Sequence, residues 1–325
     1  MSSHAEAPPT RAVLVMNPGS GEGKVARFGL VEVAEQMGVR VLLTGPGQDA
    51  AALARRALAD GAEVLGVAGG DGTVSAVAAV AAQADRPLVV VPAGTRNHFA
   101  RDLGLDIHDP VAGMAALRSG DPCGVDLGLV AGRTFVNNVS FGMYAEALLV
   151  PGYREAKGLT MASVAGPYLE GRQWVDASVD APEGTIDRPQ VVLISNNPYH
   201  IATPRSLGRR FALDRGVLGV LVLKRTEAAA LQPLPYALRR IPRTTTHPGG
   251  EPLVRWSAPR VTVHGGAATV VAGVDGEAVR LPLPLCCETR PQALRVILPK
   301  DRPGVPPEPH PPRPARRRSR PPHAR

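Results

Sequence analysis

The stretch of this sequence best suited to phosphate chemistry is Gly69-Gly70-Asp71-Gly72-Thr73. A run with strand character, 63–68, precedes it, and an apolar helical pattern, 74–83, follows it. Glycines let backbone N–H groups approach an anion, and a helix N-terminus adds unpaired donors and a positive dipole end. Because a carboxylate would repel bare phosphate, Asp71 is better explained as a partner of a metal ion, a water or a hydroxyl. For an isolated Gly-Gly-Asp-Gly, a simple helix cap is the favoured alternative.

Two further glycine turns strengthen the phosphate interpretation. Residues 87–91 have the pattern of a buried strand and run into PAGTRNHFAR at 92–101. The first strand pattern, 11–16, runs into NPGSG at 17–21. In an open parallel sheet, turns that follow strands lie at the carboxyl edge, where ligands bind.

These three segments together resemble the catalytic domain of the diacylglycerol kinase family, which also includes sphingosine and ceramide kinases. The matching motifs extend from about Asn17 to about Glu277. The resemblance implies an ATP-dependent kinase that transfers the γ-phosphoryl group to a lipid hydroxyl, with ATP and Mg²⁺ as cofactors. Diacylglycerol is the default acceptor, which would give phosphatidic acid. Sphingoid and glycolipid acceptors stay open.

The resemblance also assigns the nucleotide site. The turn at 17–21 and Thr44 would line it, while 69–75 and 94–95 would cradle the phosphates. The hydroxyls of Thr73 and Thr95 would donate to phosphate, although each also fits a helix cap. Asn97 would either fix its turn or contact the nucleotide. The predicted nucleotide-binding residues are Asn17, Pro18, Gly19, Ser20, Gly21, Thr44, Gly69, Gly70, Asp71, Gly72, Thr73, Val74, Ser75, Gly94, Thr95 and Asn97.

Three further acidic positions complete the predicted chemistry. Asp126 falls where similar lipid kinases carry an aspartate facing the cleft, and the resemblance joins it to Asp71 in a water-mediated network around the catalytic Mg²⁺. An aspartate that merely ends a strand is the alternative. Asp275 and Glu277, in Asp-Gly-Glu, match the motif that contains the family's general base. The sequence does not choose between them, and Asp-Gly also fits a hairpin turn.

The sequence departs from the family at a few positions. Bacterial members often have Asp-Asp-Gly-x-Leu-Asp, which binds a structural Mg²⁺. Here Arg215 follows Asp214 and Gly219 ends the stretch, which speaks against a structural metal at Asp214. Ser75 stands where asparagine is commoner, and Tyr144 where aspartate is common. Since Asp71, Asp126 and Asp275 are retained, we expect an active enzyme.

The elements that must position these residues change in character near Gly120. Before it, strand and helix patterns alternate, with one helix expected over 24–37, which predicts an α/β domain with a parallel sheet in three layers. After it, short strand patterns between Gly and Pro turns, one of them at 134–139, predict a β-sandwich-like domain. Helical patterns at 158–169 and 227–240 interrupt the strands. The predicted boundaries are 1–10 disordered, 11–122 ATP-binding, 123–290 lipid-substrate, 291–300 a strand returning to the first domain, and 301–325 a disordered Pro/Arg-rich tail.

Composition limits the location and the partners. The 325 residues contain no apolar run near twenty and no secretory signal pattern, and three cysteines without a C-x-x-C fit a reducing cytoplasm. The net charge of +8 is concentrated in the tail, for which a solvated role is favoured over contact with headgroups or nucleic acid. We expect a cytoplasmic protein, peripheral at the inner membrane face. Its partners would be ATP and a lipid, with no specific nucleic acid, and a homodimer is left open.

Two alternative functions remain. One is a non-catalytic lipid- or nucleotide-binding regulator with the same fold, suggested by the altered 214–219 stretch. The other is a kinase for a soluble acceptor such as NAD, since NAD kinases share Gly-Gly-Asp-Gly. The lipid-kinase-like pattern at 92–101 argues against the second alternative.

Overall fold

A computed structural model describes residues 11–150, 164, 166–168, 172–200, 208–224 and 253–302. The segments predicted as disordered at 1–10 and as helical at 227–240 lie outside these residues, as does all of the predicted tail 301–325 except residues 301 and 302. Of the helical pattern at 158–169, residues 164 and 166–168 are described, and they are helical.

The first half alternates strands and helices, as the sequence predicts. Its strands are β1 Ala12–Met16, β2 Arg40–Leu43, β3 Val64–Gly69 and β4 Leu88–Pro92. Its helices are α1 Lys24–Arg27, α2 Leu30–Gln36, α3 Ala50–Ala59, α4 Asp71–Gln83, α5 His98–Asp102 and α6 Pro110–Met114, with a 3-10 turn at Ala115–Leu117. The single helix expected over 24–37 is two helices, because Gly29 between them adopts a left-handed conformation with φ 55°.

The four strands form a parallel sheet in the order β2-β1-β3-β4 with aligned carboxyl ends. Met16 lies opposite both Leu43 and Ala68, and Gly69 lies opposite Pro92. β1, β3 and β4 are apolar and buried throughout, which is typical of a parallel sheet covered on both faces. One core cluster packs this sheet against α3 and α4, and another packs it against α1, α2 and α6. This arrangement gives three layers.

The second half is mostly β-structure. Its strands are β5 Gly120–Val130, β6 Arg133–Phe135, β7 Asn138–Gly142, β8 Ser178–Ala181, β9 Gly184–Asp187, β10 Val191–Asn196, β11 Leu218–Leu223, β12 Leu253–Ala258, β13 Arg260–His264, β14 Thr269–Val274, β15 Glu277–Pro282 and β16 Leu285–Pro299. The short helix α7, Met143–Ala147, follows β7. The single strand expected over 134–139 is wrong, since β6 and β7 belong to different sheets.

Strand β16 connects the two halves. It pairs in parallel with β4 and antiparallel with β5 and β13, so one large sheet runs β2-β1-β3-β4-β16-β13-β8-β9. A second, antiparallel sheet runs β12-β11-β10-β7-β14-β15. Apolar side chains of both sheets, among them Phe135 and Phe141, fill the space between them. The predicted α/β class with a separate antiparallel sheet is confirmed, and the domain boundaries stay a prediction.

The longest helix in the described residues, α4, has 13 residues. Within that part of the chain, none of the helices has the length and apolar character that a membrane span requires.

Candidate active site

Three glycine turns meet at the carboxyl edge of the parallel sheet. A Cβ on Gly94 would overlap the backbone of Gly70, and a Cβ on Gly21 would overlap the carbonyl oxygen of Ala93. Gly21 also has φ +57°, a conformation that glycine adopts at little cost. The glycines at these positions therefore allow the backbones of all three turns to touch.

Side-chain hydrogen bonds fasten the turns to one another. The backbone N–H of Gly70 donates to Ser20 Oγ (3.2 Å), and Asn17 Nδ2 donates to Thr73 Oγ1 (3.2 Å). Asn17 Oδ1 also accepts from the N–H of Gly19 (3.1 Å) within its own turn. These hydrogen bonds hold the predicted residues of the turns at 17–21 and 69–73 next to each other.

The side chain of Asn97 forms its hydrogen bonds within its own turn. Its Oδ1 accepts from the N–H of Gly94 (2.8 Å), its Nδ2 donates to the carbonyl of Gly94 (2.8 Å), and the residue is 3% exposed. Asn97 thus fixes its own turn, and its contact with a nucleotide stays a prediction. Thr95, two residues earlier, is exposed at the same edge.

The residues predicted to line the nucleotide site differ in what they offer a ligand. Val74 offers nothing directly, because its side chain is buried in the core and its N–H donates to the carbonyl of Gly70 (3.0 Å). The first turn of α4 begins at Asp71, so the N–H groups of Gly72 and Thr73 precede the first intrahelical bonds. Thr44 directly follows β2, where its N–H donates to the carbonyl of Met16 (2.8 Å).

Asp71 bridges two of the turns. It is the first residue of α4, yet its Oδ1 accepts from the N–H of His98 (2.8 Å), the first residue of α5. The alternative of a cap for its own helix is therefore not what the structure has, because the carboxylate accepts from the first N–H of the neighbouring helix. No donor in the described part of the chain is bonded to Oδ2. Burial lowers the pKa of His98 and outweighs the opposing charge of Asp71, which favours the neutral imidazole.

Asp275 lies at the tip of the hairpin between β14 and β15, in a left-handed conformation with φ 47°. Its oxygens accept from the backbone N–H groups of Val136 (2.8 Å), Asn137 (2.8 Å) and Asn138 (3.0 Å), and from Ser75 Oγ (2.5 Å). Burial raises the pKa of Asp275, and these hydrogen bonds oppose the rise without cancelling it. The Ser75 contact joins the hairpin to α4, the helix that follows the phosphate turn.

A cavity of about 230 Å³ opens beside Asp275. One wall is a face of α4 and the others are the turn before β6 and the β14–β15 hairpin. Its lining is Gly72, Ser75, Ala76, Ala79, Gln83, Gly132, Arg133, Thr134, Val274, Asp275, Glu277 and Val279. Glu277 is exposed at the rim, and its Oε1 would lie 3.6 Å from a Cβ on Gly72. The cavity therefore connects the Asp-Gly-Glu motif with the phosphate turn.

Asp126 is fully buried and holds three segments of the second half. It accepts from Asn197 Nδ2 (3.1 Å), the N–H of Gly216 (2.6 Å) and the N–H of Gln292 (2.9 Å). Its predicted role in a magnesium network with Asp71 stays a prediction. Asp214 is exposed two residues before Gly216. Among the described residues, no three His, Cys, Asp or Glu side chains form a group that could hold a metal ion.

Sequence reasoning missed the buried ion pair between Arg210 and Asp102, whose Nε and Oδ2 atoms are 2.7 Å apart. Both side chains are almost completely buried. Neither residue stands in a recognisable motif, so the pattern of residues gave no signal for this contact.

Comparison with known proteins finds similarity mainly in the N-terminal part of the chain. Residues 11–130 match the family model described as the diacylglycerol kinase catalytic domain. A diacylglycerol kinase of Mycobacterium tuberculosis is 36% identical over 124 residues, 37% of this chain and 40% of that protein. A diacylglycerol kinase of Bacillus subtilis is 33% identical over 171 residues, 50% of this chain and 55% of that protein. The chain thus spans 40–55% of the length of these two curated relatives.

Solved structures extend the likeness in fold to nearly the whole chain. A diacylglycerol kinase of Bacillus anthracis superposes with a TM-score of 0.60 at 17% identity, covering 89% of this chain and 97% of that one. A second crystal structure from the same organism gives a TM-score of 0.65 at 19% identity with the same coverage. At this identity the likeness shows the fold alone.

Proposed function

We propose that the whole protein is an ATP-dependent lipid kinase, because residues 11–130 match the model of the diacylglycerol kinase catalytic domain. The observation that carries the proposal is the contact among the three glycine turns. Asp71 accepts a hydrogen bond that connects two of these turns, and the Ser75 hydroxyl connects Asp275 to the same site. Phosphoryl transfer needs mainly positioning and charge neutralisation around the γ-phosphate. Diacylglycerol is the proposed acceptor and phosphatidic acid the product.

The nucleotide phosphates would lie against the first turn of α4 and the exposed Thr95. Bound Mg²⁺ would neutralise the phosphate oxygens, and this ion is usually held by one or two carboxylates together with waters and substrate phosphates. Asp71 fits that requirement, because only its Oδ1 is engaged, by His98.

Asp275 is our proposed proton acceptor. Three of its four hydrogen bonds come from fixed backbone N–H groups, while the fourth comes from the Ser75 hydroxyl, which lines the cavity. A lipid hydroxyl entering the cavity would replace Ser75 as donor to Oδ2. As the new O–P bond forms, the proton passes to Asp275, the bond to the bridging oxygen breaks, and ADP leaves. Because burial raises the pKa of Asp275, the carboxylate is a stronger base than an exposed aspartate.

The direct test is transfer of label from γ-labelled Mg·ATP to a panel of acceptors in mixed micelles. The panel contains diacylglycerol, monoacylglycerol, sphingosine and, without detergent, NAD. We expect label in diacylglycerol. Label in NAD alone would replace the lipid kinase with a soluble-acceptor kinase. ATP binding without transfer to any acceptor would favour a non-catalytic regulator.

Changing Asp71 to Asn is expected to raise the Mg²⁺ concentration for half-maximal activity by about 10–100-fold, the usual effect of losing a supporting group at a metal site. The amide keeps an oxygen for the N–H of His98 but loses the negative charge. Activity titrated with MgCl₂ at saturating ATP measures the shift. An unchanged Mg²⁺ requirement would remove Asp71 from the metal's surroundings.

The pH dependence provides a separate check on Asp275. Since a base acts only when deprotonated, kcat/KM should fall on the acid side at a pKa above 3.8, the ordinary value for aspartate. The Ser75 hydrogen bond lowers the pKa of Asp275, so Ser75→Ala should move the acid limb to higher pH. Glu277→Gln is the control and should leave the limb in place. If only Glu277→Gln shifts the limb, the titrating base is Glu277.

We further propose that the protein meets its acceptor at the inner face of the membrane, because diacylglycerol resides in the bilayer. Co-sedimentation with vesicles containing anionic lipid at low salt tests this contact. Recovery of all the protein in the supernatant would contradict it.

A further inference from the structure

Arg210 is a fully buried cation that the proposed reaction does not use. Its Nε donates to Asp102 Oδ2 (2.7 Å), and its backbone N–H donates to Asp102 Oδ1 (3.2 Å). The remaining guanidinium nitrogens donate to two further segments: to the carbonyl of Val136 (2.6 Å) and Asn137 Oδ1 (2.8 Å) in one loop, and to the carbonyl of Asn196 (2.8 Å) at the end of β10. A buried charge with this many specified partners fixes the relative placement of the segments that it contacts.

On one side, Arg210 is joined to the nucleotide turns. Asp102 is the last residue of α5, and the first residue of that helix, His98, donates its N–H to Asp71 (2.8 Å). The five-residue helix α5 therefore has its N-terminus attached to Asp71 and its C-terminus attached to Arg210.

On the other side, Arg210 is joined to the proposed base. Its guanidinium donates to the carbonyl of Val136 and to the side chain of Asn137. The N–H groups of these same residues donate to Asp275, as does that of Asn138. The guanidinium thus holds the loop 136–138 from one side while Asp275 is held from the other.

We propose that Asp102 and Arg210 are positioning residues, an ion pair that fixes the Asp275 hairpin relative to the Asp71 turn. This inference rests on the proposed kinase function for its kinetic consequence, but its structural content does not depend on it. The pair fixes loop 136–138 relative to α5, because Asp102 ends α5 and Arg210 donates to the loop. The N–H groups of the loop in turn orient the carboxylate of Asp275. Neither residue contacts the cavity that would receive the acceptor.

Stability alone is a poor explanation for such a pair. Replacing a buried ion pair with apolar side chains of similar volume is often neutral or stabilising, whereas removing one partner is strongly destabilising. A double replacement therefore separates positioning from folding. We expect Asp102→Leu/Arg210→Met to melt below the parent, because the carbonyls of Val136 and Asn196 lose a buried donor, but above each single variant, which leaves an unpaired charge.

The decisive measurement is amide hydrogen exchange in the folded double variant. The N–H groups of residues 136–138 should exchange about tenfold faster or more than in the parent, because their contact with Asp275 opens locally. The N–H groups of β3 should be unchanged. Arg260→Met, which removes an exposed ion pair with Glu288, is the matched control and should alter neither segment.

The kinetic consequence is a fall in kcat by about tenfold or more in the double variant, with KM for ATP little changed, because misplacement of a reacting group lowers the rate of the chemical step. Unchanged exchange at 136–138 together with unchanged kcat would overturn the proposal. If the double variant does not fold, Arg210→Lys replaces it, since lysine keeps the charge but lacks the planar donors and should show the same faster exchange. A parent without kinase activity would contradict the proposed function, while the exchange result would still decide on the ion pair.

Discussion

Asp275→Asn should lower kcat for phosphate transfer by about 10²–10⁴-fold, the range that a general base contributes. An amide cannot take the proton of the acceptor hydroxyl, whereas KM for ATP should change little because Asp275 is proposed to act on the acceptor. Single-turnover transfer from γ-labelled ATP measures the chemical step. Glu277→Gln is the matched variant, and we expect it to lose far less activity. The opposite order would assign the base to Glu277.

The same substitution must be separated from a loss of folding. Asn at 275 places an NH₂ group where the carboxylate accepted backbone N–H groups, which should destabilise the protein by about 1–3 kcal/mol. The backbone itself is not strained further, because asparagine tolerates the left-handed conformation that residue 275 adopts. Thermal unfolding gives the folded fraction at the assay temperature. A rate loss that exceeds the unfolded fraction by orders of magnitude would identify a chemical role.

Local sequence patterns predicted the parts of the site that depend on local chemistry. Strand, glycine turn and helix were predicted in succession at 63–83, and a strand running into a glycine turn at 87–101. The structure has both strands and the helix α4 close to the expected bounds. Turn residues such as Gly94 can be recognised in the sequence, because a side chain at that position would overlap a neighbouring backbone. The resemblance to a kinase family rested on these same segments, and the family model matches that part of the chain.

Contacts between distant segments could not be predicted in this way. Asp102 and Arg210 are separated by 108 positions, and neither has neighbours in sequence that reveal the other. The break between β6 and β7 was also missed, since a short strand-like pattern at 134–139 does not show that the chain changes sheets. That break matters, because it frees the N–H groups of residues 136–138 to hold Asp275.

The two halves of the site are also tied together by the sheet. β16 pairs with β4, which leads into the turn containing Gly94, and with β5, which leads through β6 to loop 136–138. A shared 15-residue strand limits how far the glycine turns and the loop that holds Asp275 can move apart. The Asp102–Arg210 pair adds a side-chain connection across the same distance. We therefore expect the proposed phosphate cradle and proton acceptor to be largely preformed before ATP binds.

The contact between Gly94 and Gly70 predicts a second large effect: Gly94→Ala should lower both stability and ATP use. The new methyl group would overlap the backbone of Gly70. Backbone atoms cannot rotate out of the way as the end of a flexible side chain can. Overpacking of this kind usually costs about 1–3 kcal/mol of stability. The methyl group would push the turn that contains Gly94 away from the turn that contains Gly70. For that reason kcat/KM for ATP should also fall by about 10²-fold or more, as expected when reacting groups are misplaced.

Gly266→Ala is the matched control for this substitution. Gly266 shares with Gly94 a backbone conformation outside the left-handed region, but a Cβ there would have nothing within 4 Å. Its stability and kcat/KM should stay at parent values. Fluorescence titration with ATP and thermal unfolding of both variants measure the two effects. If Gly94→Ala binds ATP as tightly as Gly266→Ala, the contact between the turns is not what shapes the nucleotide site, and the ATP site must be sought elsewhere along the carboxyl edge.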